Sequence, residues 1–537
     1  MKPLNRTHAS VSPLITVSPP PLAADREIEL KFLVGADDFK ATQQWAMLGR
    51  AGRRAPVRRL RTVYFDTDAH DLWRQRMFLR VRALRSRYTM ALKWNGDFPG
   101  GRFERGEIEV TMRSPDPDPA LLGEQAVGEI LRVTAGRPLL PFFATDIRRV
   151  TYHVRAEASE IEVAFDSGFI IAGEQKSPVR EIELELKSGD PADLYRFGLL
   201  LAETFPVRLG VMSKSERGVQ LSSGDPATAV RAAASLSSGQ TVDEAIGATI
   251  TSCITQFIAN WPAFDAGNGP EPVHQMRVAM RRLRSLLGLF QRAFPCAEFA
   301  LLRAEAKRIA SAMEEARNWD VFADLVRDGP LGPFAAEPGF AALLAAAGRR
   351  RDAGYETVKA LLADAATTRF VLSAQAFVAR RGWRNAVAGT ELPRLTGPAP
   401  TFAGACLDRL HRRVRGRGRK LLDLPVAERH EVRIALKKLR YAADSFAPLF
   451  ADPAGVRPYT RAAANLQDAL GSFNDMQMTI DLARQLDTGG ELPAARAIGI
   501  MIGWYGRGGV LGDADLHAAW TKFRKARPFW TAAPAEG

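Results

Sequence analysis

Between residues 25 and 222, apolar and charged side chains alternate with a period of two, the repeat of a strand whose two faces meet different surroundings. Glu27, Glu29 and Lys31 fall on one side of an extended segment, and Ile28, Leu30 and Phe32 on the other. Arg105, Glu107 and Glu109 repeat this against Ile108 and Val110. Glu160, Glu162 and Asp166 repeat it against Ile161, Val163 and Phe165, and Glu181, Glu183, Glu185 and Lys187 against Ile182, Leu184 and Leu186. One such strand is the ordinary pattern of a solvated sheet face. Several of them, with acids and bases mixed on the same faces, predict a closed antiparallel barrel. Its interior is wet and charged, and its apolar faces turn outward beneath covering helices. Turn signals such as Asn95-Gly96-Asp97 and Pro99-Gly100-Gly101 separate the strands.

After about residue 240 the period changes to that of amphipathic helices. His274, Arg277, Arg281 and Arg284 step by three, four and three residues and so share one helical stripe. His430, Arg433, Lys437 and Arg440 step identically, 156 positions later. The apolar seam Met276, Met280, Leu283, Leu287 and Phe290 is matched at the same offset by Val432, Leu436, Leu439, Ala443 and Phe446. These are two copies of one helical unit. Arg317-Asn318-Trp319-Asp320 and Phe473-Asn474-Asp475 recur more loosely. Arg409, Arg412, Arg413, Arg415, Arg417, Arg419 and Lys420 add basic density beside the second copy.

With 537 residues, the chain exceeds what one core accommodates. The pattern divides it into a leader at 1–24, expected to be disordered, a strand-rich domain at 25–222, a linker at 223–240 and a helical domain at 241–530. The last has repeats at about 241–385 and 400–530. The fold class is α+β: an N-terminal eight-stranded antiparallel β-barrel tunnel with surrounding helices, then an all-α duplicated helical bundle. No uninterrupted apolar run is long enough for a membrane span. Cys253, Cys296 and Cys406 have neither metal-ligand spacing nor the number for a disulfide framework, which suits a reducing, cytoplasmic setting.

The net charge of +14 is uneven. Residues 1–240 carry 34 Lys and Arg against 30 Asp and Glu, whereas residues 241–537 carry 40 against 30. The helical half is therefore the expected docking surface for a polyanion. The balanced half is where cations and carboxylates share a site. There Arg80 and Arg82 lie on one strand face, and Lys93, Arg149, Lys214 and Arg217 supply further cations. Guanidinium forks bind phosphate oxygens bidentately, and glutamates offer the hard oxygen ligands that Mg²⁺ takes.

The ordered set Glu27-x-Glu29-x-Lys31, Tyr64-Phe65-Asp66-Thr67, Leu79-Arg80-Val81-Arg82, Lys93, Arg105-x-Glu107-x-Glu109, Thr145-Asp146, Ile161–Gly168, Glu181–Glu185 and Lys214 resembles the CYTH domains, the triphosphate tunnel metalloenzymes. The resemblance implies divalent-metal-dependent hydrolysis of inorganic triphosphate with Mg²⁺ or Mn²⁺. Metal ligation would come from Glu27, Glu29, Glu107, Glu109, Glu183 and Glu185, with the choice of pair among Glu181, Glu183 and Glu185 open. Arg80, Arg82, Lys93, Arg149 and Lys214 would grip phosphate, and Lys31 with Glu29 would stand at the reacting centre. Asp166 and Glu162 are lesser candidates. The histidine-led basic repeats resemble the CHAD domain, which implies inorganic polyphosphate as the ligand of His274, Arg277, Arg281, Arg284, His430, Arg433, Lys437 and Arg440, and association with polyphosphate granules. Few aromatics interleave with these charges, which disfavours nucleic acid, and neither histidine has a second metal ligand at close spacing. The alternatives are a non-catalytic polyphosphate adaptor, a thiamine triphosphatase and a class IV adenylate cyclase.

Overall fold

A computed structural model describes residues 25–84, 87–450, 453–486 and 492–531. The leader at 1–24 lies outside these residues, as do the side chains of Phe473, Asn474 and Asp475.

Ten strands form one antiparallel sheet: β1 (Asp25–Leu33), β2 (Gly52–Arg54), β3 (Arg58–Asp66), β4 (Phe78–Leu84), β5 (Arg87–Asp97), β6 (Phe103–Met112), β7 (Leu140–Ala156), β8 (Ser159–Ala172), β9 (Gln175–Ser188) and β10 (Arg208–Leu209). The spatial order β1-β6-β5-β4-β3-β7-β8-β9 closes because β9 also pairs with β1, through Ile28↔Leu186 to Leu33↔Glu181. Eight strands thus make a barrel without a free edge. The two short strands extend it, β2 on β7 and β10 on β1.

The alternation sorts the faces as expected. Outward Leu30, Phe32, Val163, Phe165, Ile182 and Leu184 are buried against Leu194, Phe197 and Leu201 of the helix Pro191–Thr204. Outward Leu79, Val81, Met90 and Leu92 are buried against Ala126 and Ile130 of the helix Glu124–Thr134. The outer ends of β3, β7 and β9 differ from this picture, since Arg59, Arg61, Arg148 and Arg180 face outward and are exposed.

The helix Lys214–Ser223 closes one end of the bore. A reciprocal cap starts it, with Ser213 accepting from the Glu216 amide and Glu216 accepting from the Ser213 amide. Its Val219 joins inward-facing Leu60, Phe143, Ile147, Ile170 and Val179. Gly218 makes this fit possible, because a Cβ there would stand 2.1 Å from the Phe143 ring.

From Val242 onward the described elements are all helices. The matched helices Glu271–Ala293 and Val426–Phe446 turn both apolar seams to the core, where Phe290 and Phe446 meet with ring centroids 6.4 Å apart. The stretch expected as a linker is tied down: the Val230 amide donates to Asn260 Oδ1, and Asn260 Nδ2 donates to the Val230 carbonyl, both at 2.9 Å. One continuous apolar core runs from the outer barrel wall into the helices. None of the described helices is long and apolar enough to cross a membrane, and all three cysteines are free and buried.

Candidate functional site

The barrel encloses a cavity of about 320 Å³. Glu27, Glu29, Lys31, Arg80, Arg82, Lys93, Glu107, Glu109, Arg149, Glu183, Glu185 and Lys214 all line it, as do Glu162 and Asp166. These residues come from seven strands and the closing helix: inward parity turns the strand residues into the closed barrel, and the helix start adds Lys214.

At the closed end, cations and carboxylates compensate each other. Lys214 Nζ lies 2.7 Å from Asp166 and 2.8 Å from Glu183 and also pairs with Glu181. Arg149 binds Asp166 through two bonds of 2.7 and 2.6 Å and reaches Glu183. Lys31 pairs with Glu183 and stands 2.8 Å from Glu29. Burial opposes ionisation of Glu183, but Lys214, Lys31 and Arg149 outweigh it and hold the carboxyl well below its usual range. Asp166, Glu181 and Glu183 are close enough to share a cation, yet the Lys214 ammonium already sits among them. Glu181, beneath Lys214 and Arg217, does not line the cavity, whereas Glu183 and Glu185 do.

Toward the other end the balance changes. Glu29 is directly opposite Glu185, and Glu185 directly opposite Glu162, on three adjacent strands. Burial raises the pKa of both Glu29 and Glu185, and neighbouring carboxylates add to it. Like charges directly opposite one another cost stability unless something positive joins them. This row, with Glu27, Glu107 and Glu109 on the same inner wall, therefore has the clustered hard oxygen donors that suit a divalent cation. Glu107 already holds Arg80 and Lys93, at 3.0 and 3.2 Å, and Glu27 is also paired: burial opposes its ionisation, but Lys93, 2.5 Å away, together with Lys31 and Arg80 holds it down at about 2.

Among the described residues of the bore, half-buried Arg82 and buried Arg105 lack a close acid partner. Arg82 has only Thr62 Oγ1 at 3.3 Å, and burial plus Arg80 and Arg149 push its pKa down to about 10. Arg105 is 7% exposed, stacks over Phe103 at 4.5 Å and approaches Glu216 no closer than 3.9 Å. By contrast, Arg80 and Lys93 have carboxylates at 3.0 and 2.5 Å. Sequence reasoning assigned Arg105 no role, although it shares inward parity with Glu107 and Glu109. Lys187, placed by the alternation on the charged inward face, lines the cavity as well, and so do Arg58 and His153, which sequence reasoning missed and the same parity finds.

Two motif residues have structural duties instead. Asp66 accepts from the amides of Thr67, Leu72 and Trp73 and fixes a turn. Asp146 faces outward and is bound by Arg59 at 2.8 and 2.6 Å.

A second concavity, of about 940 Å³, lies in the helical half. His274, Arg277, Arg281 and Arg284 line it together with His430, Arg433 and Lys437, so the two stripes converge. Arg440 is left out and turns toward Asp444, 3.7 Å away. Arg303, Lys307, Arg317, Arg413 and Lys438 join from neighbouring helices. Of the basic cluster at 409–420, only Arg413 reaches the groove. The Nε groups of Arg277 and Arg303 are buried there without a hydrogen-bond partner among the described residues. Burial and Arg317 lower the His274 pKa, and burial and Arg281 lower that of Arg277.

Comparison with known proteins agrees with this division. The CYTH domain family matches residues 25–218, and the CHAD domain family matches residues 248–484. An inorganic triphosphatase of Haemophilus influenzae is 36% identical over 166 residues, covering 30% of this chain and 46% of that protein. An uncharacterized protein of Mycobacterium tuberculosis is 26% identical over 332 residues, 57% of this chain and 60% of that one. The chain thus spans about half to three-fifths of the length of these relatives. The crystal structure of the CHAD domain from the plant Ricinus communis superposes with a TM-score of 0.47 at 27% identity, over 56% of this chain and 97% of that one. The chain belongs to the proteins in which a CYTH domain, here residues 25–218, is followed by a CHAD domain, here residues 248–484.

Proposed function

We propose that the tunnel hydrolyses inorganic triphosphate with the help of Mg²⁺ or Mn²⁺, and that the helical groove binds long-chain polyphosphate. The observation that carries this is the unequal pairing of charges along one bore. At one end every carboxylate has its cation. Further along, Glu29, Glu185 and Glu162 face one another across three strands, with Lys31 shared between Glu29 and Glu183 and Lys187 partly exposed, while Arg82 and Arg105 have no close acid. A metal–triphosphate complex would add positive charge to the first group and phosphate oxygens to the second. Kinship over the CYTH part with a protein named inorganic triphosphatase supports the same substrate class.

Glu27, Glu29, Glu107, Glu109, Glu183 and Glu185 would hold the metal, Glu183 only by releasing some of its present partners. The ion would neutralise phosphate charge and make a bound water more acidic. Arg80, Arg82, Arg105, Lys93, Arg149 and Lys214 would hold the phosphate oxygens, with the guanidinium groups binding two oxygens each. Burial opposes the Lys31 charge, but Glu183 and Glu29 outweigh it and keep the group an ammonium. Lys31 is then a donor that orients the terminal phosphoryl group. Glu29, with its raised pKa, is suited to accept the proton of the attacking water. Water oxygen bonds to the terminal phosphorus, the bridging P–O bond breaks, and pyrophosphate and phosphate leave.

Phosphate release from tripolyphosphate, ATP, thiamine triphosphate and long-chain polyphosphate, each with Mg²⁺ and Mn²⁺, tests the proposal. Tripolyphosphate should be the preferred substrate, and Glu29→Ala and Arg82→Ala should lose turnover. Wild-type turnover in both variants defeats the site assignment, and cyclic nucleotide from ATP defeats the substrate. The adaptor alternative is weaker because a plain anion binder has no use for the carboxylate row.

A further inference from the structure

We infer that the helical domain positions part of the tunnel wall: Thr255, through the turn Pro99–Gly101, fixes the β5–β6 hairpin that carries Lys93, Arg105 and Glu107 into the bore. The catalytic consequence rests on the tunnel function proposed above; the clamp itself does not.

The hairpin fixes its own tip only in part. The β5–β6 register is regular from Tyr88↔Met112 to Trp94↔Gly106 and then shifts before Asp97↔Glu104. Past it only that pair and one Arg102 amide to Pro99 carbonyl bond of 3.3 Å hold the turn, so the ladder constrains its position weakly. An outside group adds the missing constraint. The Gly100 amide donates to Thr255 Oγ1 at 2.8 Å, and the Thr255 hydroxyl donates to the Thr251 carbonyl at 2.8 Å. The single hydroxyl proton is thus committed within the helix Val242–Ala259, which leaves an oxygen lone pair aimed at the turn.

Shape enforces the same position. Gly100 has a left-handed φ of 62°, and a Cβ there would stand 2.1 Å from the side chain of Gln375, on the helix Ala365–Ala379. Gly101 is closed in by Leu209 and Ile258, 2.6 and 3.2 Å from where its Cβ would be. Residues of both domains therefore grip one turn from several sides. The turn in turn governs the site. Phe98, just before it, packs on Phe103 with ring centroids 4.6 Å apart. Phe103 is the ring over which Arg105 and Lys31 lie, at 4.5 and 5.3 Å. Because Arg105 has no close acid to anchor it, its place depends on Phe103. Thr255 is in this sense a positioning residue, remote from any phosphate.

The test uses Thr255→Val in the full chain, which keeps the shape of the side chain and removes the acceptor. Amide exchange across residues 98–105 should quicken by about tenfold, as expected for the loss of one buried hydrogen bond. The KM for tripolyphosphate should rise by about tenfold with kcat changed much less, since binding through Arg105 is what is disturbed. Thr255→Ser, which keeps the oxygen, should restore both. Arg369→Met is the control: it removes the donor to the Ala202 carbonyl, 3.0 Å away across the same domain boundary, without involving any residue that touches the turn, and should leave KM unchanged. A lowered Tm with unchanged KM, or unchanged exchange at 98–105, overturns the inference. Exchange needs no turnover, so a wild-type chain inactive on tripolyphosphate would defeat the substrate assignment and leave the clamp to be judged by exchange alone.

Discussion

Glu29 and Glu185 stand directly opposite each other on adjacent strands of a closed barrel, both lining its cavity and both with pKa raised chiefly by burial. Lys31 offsets Glu29 only in part, and Lys187 is the partner of Glu185. Two facing carboxylates of this kind are a cost to the empty barrel and an asset to one holding a cation.

Glu185→Gln should therefore stabilise the metal-free protein, by up to about 1 kcal/mol, and weaken Mg²⁺ binding. A raised carboxyl pKa means that the folded chain takes up the proton more readily than the unfolded one. The metal-free protein should thus gain stability as pH falls from neutral through these raised values. Mg²⁺ competes with those protons, so its affinity should fall over the same interval. Thermal unfolding in chelator and Mg²⁺ titration calorimetry, each at neutral and mildly acidic pH, read the two effects.

Removing different cations from the bore should have unequal consequences for folding. Arg82→Ala leaves no carboxylate stranded, so stability should hold while triphosphate binding weakens. Lys214→Ala leaves Asp166, Glu181 and Glu183 without the ammonium they share, and should cost about 3–5 kcal/mol. Denaturant unfolding of the two variants beside wild type decides this.

Glu27 should support the fold in acid. Its folded pKa of about 2 lies below the unfolded value of 4.5, so its contribution is complete above 4.5 and is lost as pH falls through about 2. That interval is worth on the order of 3 kcal/mol. Lys93→Met, which removes the partner at 2.5 Å, should abolish most of the contribution. Urea unfolding between pH 7 and pH 2 measures it.

In the helical groove, Arg277→Glu combined with Arg433→Glu should sharply weaken binding of long-chain polyphosphate and flatten its salt dependence, because fewer counterions are released. His274, with a pKa lowered by burial and Arg317, is neutral at pH 7. Acidification below the ordinary histidine range should add a charge to the groove and tighten binding. Titrations of polyphosphate at several salt concentrations and pH values check both points.

The sequence by itself determined which residues belong together. A period of two placed Glu27, Glu29 and Lys31 on one side of a strand, and a step of three, four and three placed His274 with Arg277 and Arg281, because backbone geometry fixes side-chain direction locally. Tertiary structure alone decided which charges meet. That Lys214 sits among Asp166, Glu181 and Glu183, that Arg440 leaves the groove, and that Arg82 and Arg105 go without close acids depend on strands and helices distant in sequence. The clamp between Thr255 and Gly100 is of the same kind, joining residues 155 positions apart. Pairing energies act through space over a few ångströms, and no local period encodes which distant neighbour arrives within that range.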